Sequence, residues 1–246
     1  MNRKLLLGLV LWAFGAVLPA SALDTLTVYD GTGTSSLVPI YGYYCDAYLK
    51  CEYLIPADEL TEMETGSQIC SLTWYIDYSA TDGWGDVDFR VFVKEIDDSS
   101  LSGYTGYSGL TGATVVYEGP LDGTGKTITV DFDAPYVYES KNLLIGVYNT
   151  AKGNFCSASF YGESDSGVSL QGYSYDSLDD VEFNIREFVP KTTLEYLASG
   201  EVYLPVPTNL TVSDLMANSA TLSWSPGGEE TEWHVAYKKT TDEEWT

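Results

Sequence analysis

The chain has 246 residues, and its 36 Asp and Glu against 12 Lys and Arg give a formal net charge of −24. Such a surface repels phosphate backbones, and no basic stripe interrupts it, which excludes nucleic-acid binding. The single histidine, His234, lies near the C-terminal end. The rest of the chain therefore has no imidazole for Ser-His-Asp or Cys-His catalysis, or for the usual zinc sites.

In chain order, Asn2, Arg3 and Lys4 precede an apolar run from Leu5 to Leu18 and the small residues Pro19-Ala-Ser-Ala22. These are the three parts of a secretory signal peptide, residues 1–22, with cleavage expected after Ala22. The run is too short to span a bilayer of roughly 30 Å comfortably, so the chain is expected not to be membrane-spanning. No Cys stands at the junction to take a lipid. The mature chain keeps ten basic residues against 36 acids, a charge of −26.

Beyond it, helical periodicity is nearly missing and period-two alternation is everywhere. Strands are predicted at Thr25–Tyr29, Tyr48–Ile55, Ile69–Tyr78, Val87–Ile96, Thr114–Glu118, Lys126–Phe132, Asn142–Tyr148, Ser157–Tyr161 and Glu182–Phe188. Turn residues such as Asp30-Gly31, Asp82-Gly83, Asp122-Gly123 and Lys152-Gly153-Asn154 separate them, and only Pro56–Glu62 suggests a helical turn. Many short strands without intervening helices predict an all-β sandwich. Leu72, Trp74 and Ile76 share one face, as do Phe89, Val91 and Val93, then Ile128, Val130 and Phe132, then Leu143, Ile145 and Val147. These faces are assigned to the core.

Pro205 and Pro207 in "LPVPTNL" mark a stiff connector. It divides residues 23–204 from residues 205–246. The second segment carries Pro207, Leu210 and Val212, then "SATLSW" ending in Trp224, then "EWHVAYKK" with Val235 and Tyr237, and Trp245. In this it resembles a fibronectin type III module, which implies a second, immunoglobulin-like sandwich anchored by Trp224. Only about the first three of seven strands are present, so the module is expected to be incomplete and the chain to be a piece of a longer protein.

The larger segment runs through "TVYDGTGTSSLVPIYGYY", "ICSLTWYIDY", "VDFRVFVKEID", "VVYEGPL", "TITVDFDAPYVYESKNLLIGVYN" and "REFVPKTTLEY". It is similar to the cleaved adhesin family, the jelly-roll modules of gingipain haemagglutinin regions. That resemblance implies a jelly-roll β-sandwich with a role in surface adhesion, or in carbohydrate or protein binding, as one module in a string. The four cysteines are not part of the family pattern, and no calcium-ligand set maps residue by residue.

The glycine-containing stretches Gly31–Thr34 and Gly123–Lys126 join strands and lack the strand-to-helix context of phosphate loops. Carboxylate pairs are too numerous to single out a hydrolytic site, and the chain is expected not to be an enzyme. "DGWGDVD" brings Asp82, Asp86 and Asp88 close together around two glycines, a candidate Ca2+ site without EF-hand spacing; solvated acids of a hairpin turn are the alternative. Rings beside glycines suit stacking on sugars, which nominates Trp84, Tyr104, Tyr107, Tyr173 and Tyr175, with Tyr41, Tyr43 and Tyr44 behind them. Edge-to-face packing of the same rings is the alternative. Cys45, Cys51, Cys70 and Cys156 are disulfide candidates on an exported chain, with three possible connectivities. Asp24-Thr25-Leu26 and Asp176-Ser177-Leu178 fit a bacterial O-glycosylation pattern.

The expected function is non-catalytic binding or adhesion outside the cell, toward a glycan or protein. The alternatives are an accessory domain of a secreted hydrolase, protease or glycoside hydrolase, whose catalytic domain lies outside this chain, and a structural spacer.

Overall fold

β-branched and aromatic residues at every second position favour pleated, half-buried surfaces. In the computed structural model they form the strands of a nearly all-β chain, described for residues 7–13, 23–41, 45–79, 83–201, 203, 207–214, 216, 219–227 and 233–239. In chain order these are β1 (Leu7–Ala13), β2 (Asp24–Val28), β3 (Gly33–Ser35), β4 (Tyr48–Ile55), β5 (Gln68–Ser79), β6 (Asp88–Ile96) and β7 (Thr114–Pro120). There follow β8 (Thr127–Val137), β9 (Asn142–Asn149), β10 (Ala158–Glu163), β11 (Ser169–Ser174), β12 (Asn184–Arg186), β13 (Val189–Pro190) and β14 (Thr192–Leu197). The last are β15 (Thr208–Ser213), β16 (Thr221–Ser225) and β17 (Trp233–Lys239). The expected helical turn is a 3-10 turn at Ala57–Leu60, directly after Pro56. No described helix is long and apolar enough to cross a membrane.

The chain divides into two units, Leu23–Glu201 and a second formed by residues 1–22 with 202–246. The larger unit is an all-β sandwich. One sheet has the order β12-β11-β4-β9-β6-β7; the other has the path β13-β10-β5-β14-β2, with β3 on β10 and β8 on β5. Every pairing is antiparallel. The chain changes sheet between β3 and β4, β4 and β5, β5 and β6, β7 and β8, β8 and β9, β9 and β10, β10 and β11, and β12 and β13. These crossings are what a jelly roll requires, and they make the sandwich rich in non-local contacts.

The predicted core faces meet between the sheets. Leu72, Trp74, Ile76, Val130 and Leu194 of one sheet belong to the same buried cluster as Leu49, Tyr53, Val91, Ile145 and Val147 of the other. One polar link crosses this core. The Trp74 indole N–H donates to the Tyr53 hydroxyl at 2.7 Å, which in turn lies 3.2 Å from Thr192 Oγ1. A buried ring N–H without a partner would cost roughly 1–3 kcal/mol, so this link fixes where Trp74 sits.

The sequence pattern misses β3, β11, β13 and β14. In β11, Ser169, Leu170, Gln171 and Gly172 are all buried, so there is no exposed face to show alternation. The strand predicted at Glu182–Phe188 is confined to Asn184–Arg186.

In the second unit β15 pairs with β16, and the Trp224 and Trp233 rings meet edge to face at 5.4 Å. Leu222 and Trp224 are more shielded than Thr221 and Ser223, as their alternation predicts. Leu210 and Val212 of β15 are 39% and 50% exposed; among the described residues β15 pairs with β16 alone. The apolar run expected as an export signal supplies β1, which pairs with β17 from Leu7↔Lys239 to Ala13↔Trp233. Cleavage after Ala22 would remove β1 and leave that edge of β17 open. Pro205 and Trp245 lie outside the described residues.

Candidate functional site

The outer face of the six-stranded sheet follows from its register. Lys50 of β4 stands between Gly172 of β11 and Tyr148 of β9, and Tyr148 stands beside Arg90 of β6. One step along, Glu52 lies between Leu170 and Gly146, and Gly146 lies beside Phe92. Paired residues share a face and alternate residues return to it. Tyr48, Lys50 and Glu52 therefore line one side of β4, while Leu49, Cys51 and Tyr53 line the core side.

Two glycines hollow this outer face. A Cβ at Gly146 would collide with the ring of Phe92, and one at Gly172 would meet the Tyr107 hydroxyl at 2.8 Å as well as the Glu182 backbone. Each missing side chain admits an aromatic ring from elsewhere, Phe92 from β6 and Tyr107 from the loop between β6 and β7. The result is a groove of about 320 Å³ lined by Lys50, Glu52, Phe92, Tyr107, Tyr148 and Leu178 among others. Apolar walls with a few polar groups at this size are the usual form of a small-ligand site.

A clamp of opposite charges holds the Tyr107 loop over the sheet. The buried Glu52 carboxylate accepts the backbone N–H of Ser108 at 2.9 Å and of Gly109 at 3.3 Å. The Lys94 ammonium donates to the carbonyls of Ser108, Gly109 and Thr111 at 3.2, 3.1 and 3.4 Å. Anion takes the donors and cation takes the acceptors of one short backbone segment. Burial pushes the Glu52 carboxyl above the ordinary carboxylate range, opposed by the two N–H donors and by Lys94. Burial lowers Lys94, opposed by the Glu52 charge.

The groove rings are fixed by polar contacts at their edges. The Tyr107 hydroxyl donates to the Lys50 carbonyl at 3.2 Å, and its ring meets Phe183 edge-on at 6.3 Å. Arg90 donates to the Tyr148 hydroxyl at 3.0 Å and forks onto Glu118 at 3.0 and 2.8 Å. A second hollow of about 410 Å³ lies at Glu95, Tyr136 and Glu139. There the Glu95 carboxylate is occupied by the N–H groups of Glu139 and Lys141 at 2.7 and 2.8 Å, which makes it a strand-end clamp.

Of the rings nominated from sequence, only Tyr107 lines the groove. Tyr104 is half-buried and donates to Asp98 at 3.0 Å. Trp84 is a correction: it is 2% exposed and packs edge-on to Phe89 at 5.5 Å. Gly83 and Gly85 have φ of 63° and 77°, and this left-handed backbone beside the tryptophan accompanies an indole turned into the core. Tyr173 and Tyr175 are exposed and form an edge-to-face run, Tyr41–Tyr173 at 5.4 Å and Tyr173–Tyr175 at 5.8 Å. Tyr43 and Tyr44 lie outside the described residues. Lys50, Glu52, Phe92 and Tyr148 were missed. Their signal was an aromatic on the polar face of β6 and a glycine inside the apolar β9.

Asp86 and Asp88 are exposed, and Asp82 lies outside the described residues. Among the described residues no group of three His, Cys, Asp or Glu side chains could hold a metal ion. Thr25 is exposed on β2, whereas Ser177 donates to Asp180 at 2.6 Å and accepts its N–H, capping a turn.

The four cysteines are buried thiols, and no disulfide joins them. Burial, followed by the neighbouring Cys51 and Cys156, pushes the Cys45 thiol well up. Cys70 stands on β5 of the other sheet, near Leu197 and Glu195. Thiols so raised remain protonated and unreactive in the folded state. Native protein is expected to take up iodoacetamide slowly at pH 8, and to gain four carbamidomethyl groups by intact mass once unfolded without reductant. A gain of two would mean that one pair is bridged.

No family model matches the chain, and comparison with curated proteins finds none that match.

Proposed function

We propose that the larger unit is a non-catalytic carbohydrate-binding module of an exported protein, with the groove between Phe92 and Tyr107 as its binding site. The observation that carries this reading is the aromatic-walled groove built over Gly146 and Gly172, with polar groups at its floor. Sugar rings present one apolar C–H face that stacks on tyrosine and hydroxyls that take hydrogen bonds, and the groove offers partners for both. The resemblance of this segment to adhesin jelly rolls agrees with it. Within the groove Glu52 is the only acidic lining residue, and its carboxylate is engaged by backbone N–H groups. A hydrolase would need a second carboxyl across the sugar.

The test is a glycan array followed by titration of the best ligand. Tyr107→Ala is expected to weaken binding about tenfold or more, since loss of a stacked ring removes roughly 0.5–1.5 kcal/mol beyond its buried area. Tyr107→Phe keeps the ring and should bind within about threefold of wild type. Equal binding by Tyr107→Ala would remove the groove from the account, and Tyr173→Ala would then test the exposed tyrosine run.

A further inference from the structure

We infer that the ligand of this face is a negatively charged glycan, its sugar rings carrying carboxylate or sulfate groups; the inference rests on the groove being a carbohydrate site. A very acidic unit concentrates its few cations on one face. Leu23–Glu201 contains eight Lys and Arg residues against 29 Asp and Glu. Four of the eight, Lys50, Arg90, Lys94 and Lys152, stand on or beside the outer face of the six-stranded sheet. Three of these sit over aromatic rings of the same face. Lys50 lies 5.6 Å from the centre of Tyr107, Arg90 lies 5.7 Å from Tyr148, and Lys152 lies 5.3 Å from Tyr48. Tyr48 and Lys50 are alternate residues of β4, and Lys50, Tyr148 and Arg90 form one row across three strands. Rings and cations are thus interleaved along the groove and past its end.

Charge balance separates these cations by role. Arg90 is neutralised by Glu118, and Lys94 is spent on loop carbonyls. On the other sheet Lys191 also covers a ring, Tyr75, but it is ion-paired with Asp30. Lys50 and Lys152 differ: among the described residues neither has a carboxylate within ion-pair distance, and Lys152 donates to the Tyr175 carbonyl. Two unneutralised ammonium groups beside stacking rings suit a ligand that alternates apolar ring faces with anionic groups. Each anion would take a charge-assisted hydrogen bond, and the surrounding acids act only within a Debye length of about 8 Å at physiological salt.

The experiment titrates the full chain with oligogalacturonate, a chondroitin sulfate oligosaccharide and a neutral cello-oligosaccharide at several salt concentrations. At least one acidic ligand is expected to bind more tightly than the neutral one, with affinity falling as salt rises. Lys50→Gln and Lys152→Gln should each weaken it about tenfold without changing Tm, and Lys126→Gln, exposed directly before β8 of the other sheet, should leave it unchanged. Which acidic ligand binds separates carboxylate from sulfate recognition. Neutral glycan bound equally well, lost in Tyr107→Ala but indifferent to Lys50→Gln and to salt, would overturn charge selection while leaving the groove as a sugar site. Binding of no glycan would overturn both.

Discussion

Replacing Trp84 with alanine is expected to lower the unfolding free energy by about 3–5 kcal/mol, the usual range for removing a buried tryptophan. The ring touches Phe89 on one side, and the Gly123 backbone approaches so closely that a Cβ there would lie 2.8 Å from Cη2. The Trp84 carbonyl also receives the Asn154 N–H at 2.7 Å, so the residue ties two loops to the end of the core. The indole N–H is buried without a partner, and removing it returns on the order of 1 kcal/mol, which places the alanine variant toward the lower end of the range. Trp84→Phe should therefore lose less than Trp84→Ala, since it keeps a ring and discards the unpaired donor. Gly123→Ala should destabilise by forcing a methyl group into the same ring. Urea denaturation followed by tyrosine and tryptophan fluorescence checks the order. For a unit of this size each kcal/mol corresponds to roughly 2–4 °C in Tm. Ligand affinity of the folded Trp84→Phe protein should equal wild type. Lost affinity with unchanged stability would restore the exposed, sugar-stacking role that the flanking glycines suggest from sequence.

Trp84 shows where sequence reasoning reaches its limit. The core was legible because each strand buries one face: Leu72, Trp74 and Ile76 alternate with residues of the opposite face, and period two survives in the sequence. β11 was not legible, because both of its faces are covered and alternation disappears. For Trp84, glycine on either side reads as free access to the ring. Glycine permits φ of either sign, and the indole turns inward onto Phe89 and toward Gly123 and Gly153, the last two distant in sequence.

The groove fails the same way on a larger scale. Its floor comes from β4, β6 and β9, its wall from the β6–β7 loop, and its depth from glycines in β9 and β11. Of its lining only Tyr107 advertised itself, through the glycine next to it. Lys50 and Glu52 read as ordinary polar residues of an alternating strand. Their importance depends on which backbone segment lies above them, and strand register alone does not supply that.

Glu52 is where that hidden arrangement has its largest consequence. Glu52→Ala leaves the half-buried N–H groups of Ser108 and Gly109 without an acceptor and Lys94 without its nearby counter-charge. At roughly 1–3 kcal/mol per unsatisfied group, the loss should be about 2–4 kcal/mol. Because Tyr107 precedes the clamped residues directly, glycan affinity should fall about tenfold or more together with stability, and hydrogen exchange at Ser108 and Gly109 should accelerate. The pH dependence distinguishes this clamp from simple packing. Burial raises the folded-state pKa of Glu52 above its unfolded value of about 4.3, so the folded chain binds the extra proton between those two values. The Glu52 contribution is thus most favourable below the unfolded value, and it diminishes as pH rises through the folded one. Glu52→Gln keeps an oxygen for one of the two N–H groups and cannot ionise. Measured by urea unfolding from pH 4 to 8, the wild type should lose stability relative to Glu52→Gln as pH increases, and the difference should level off once Glu52 is fully ionised. Parallel pH profiles for the two proteins would mean that burial does not raise the Glu52 carboxyl in the folded state.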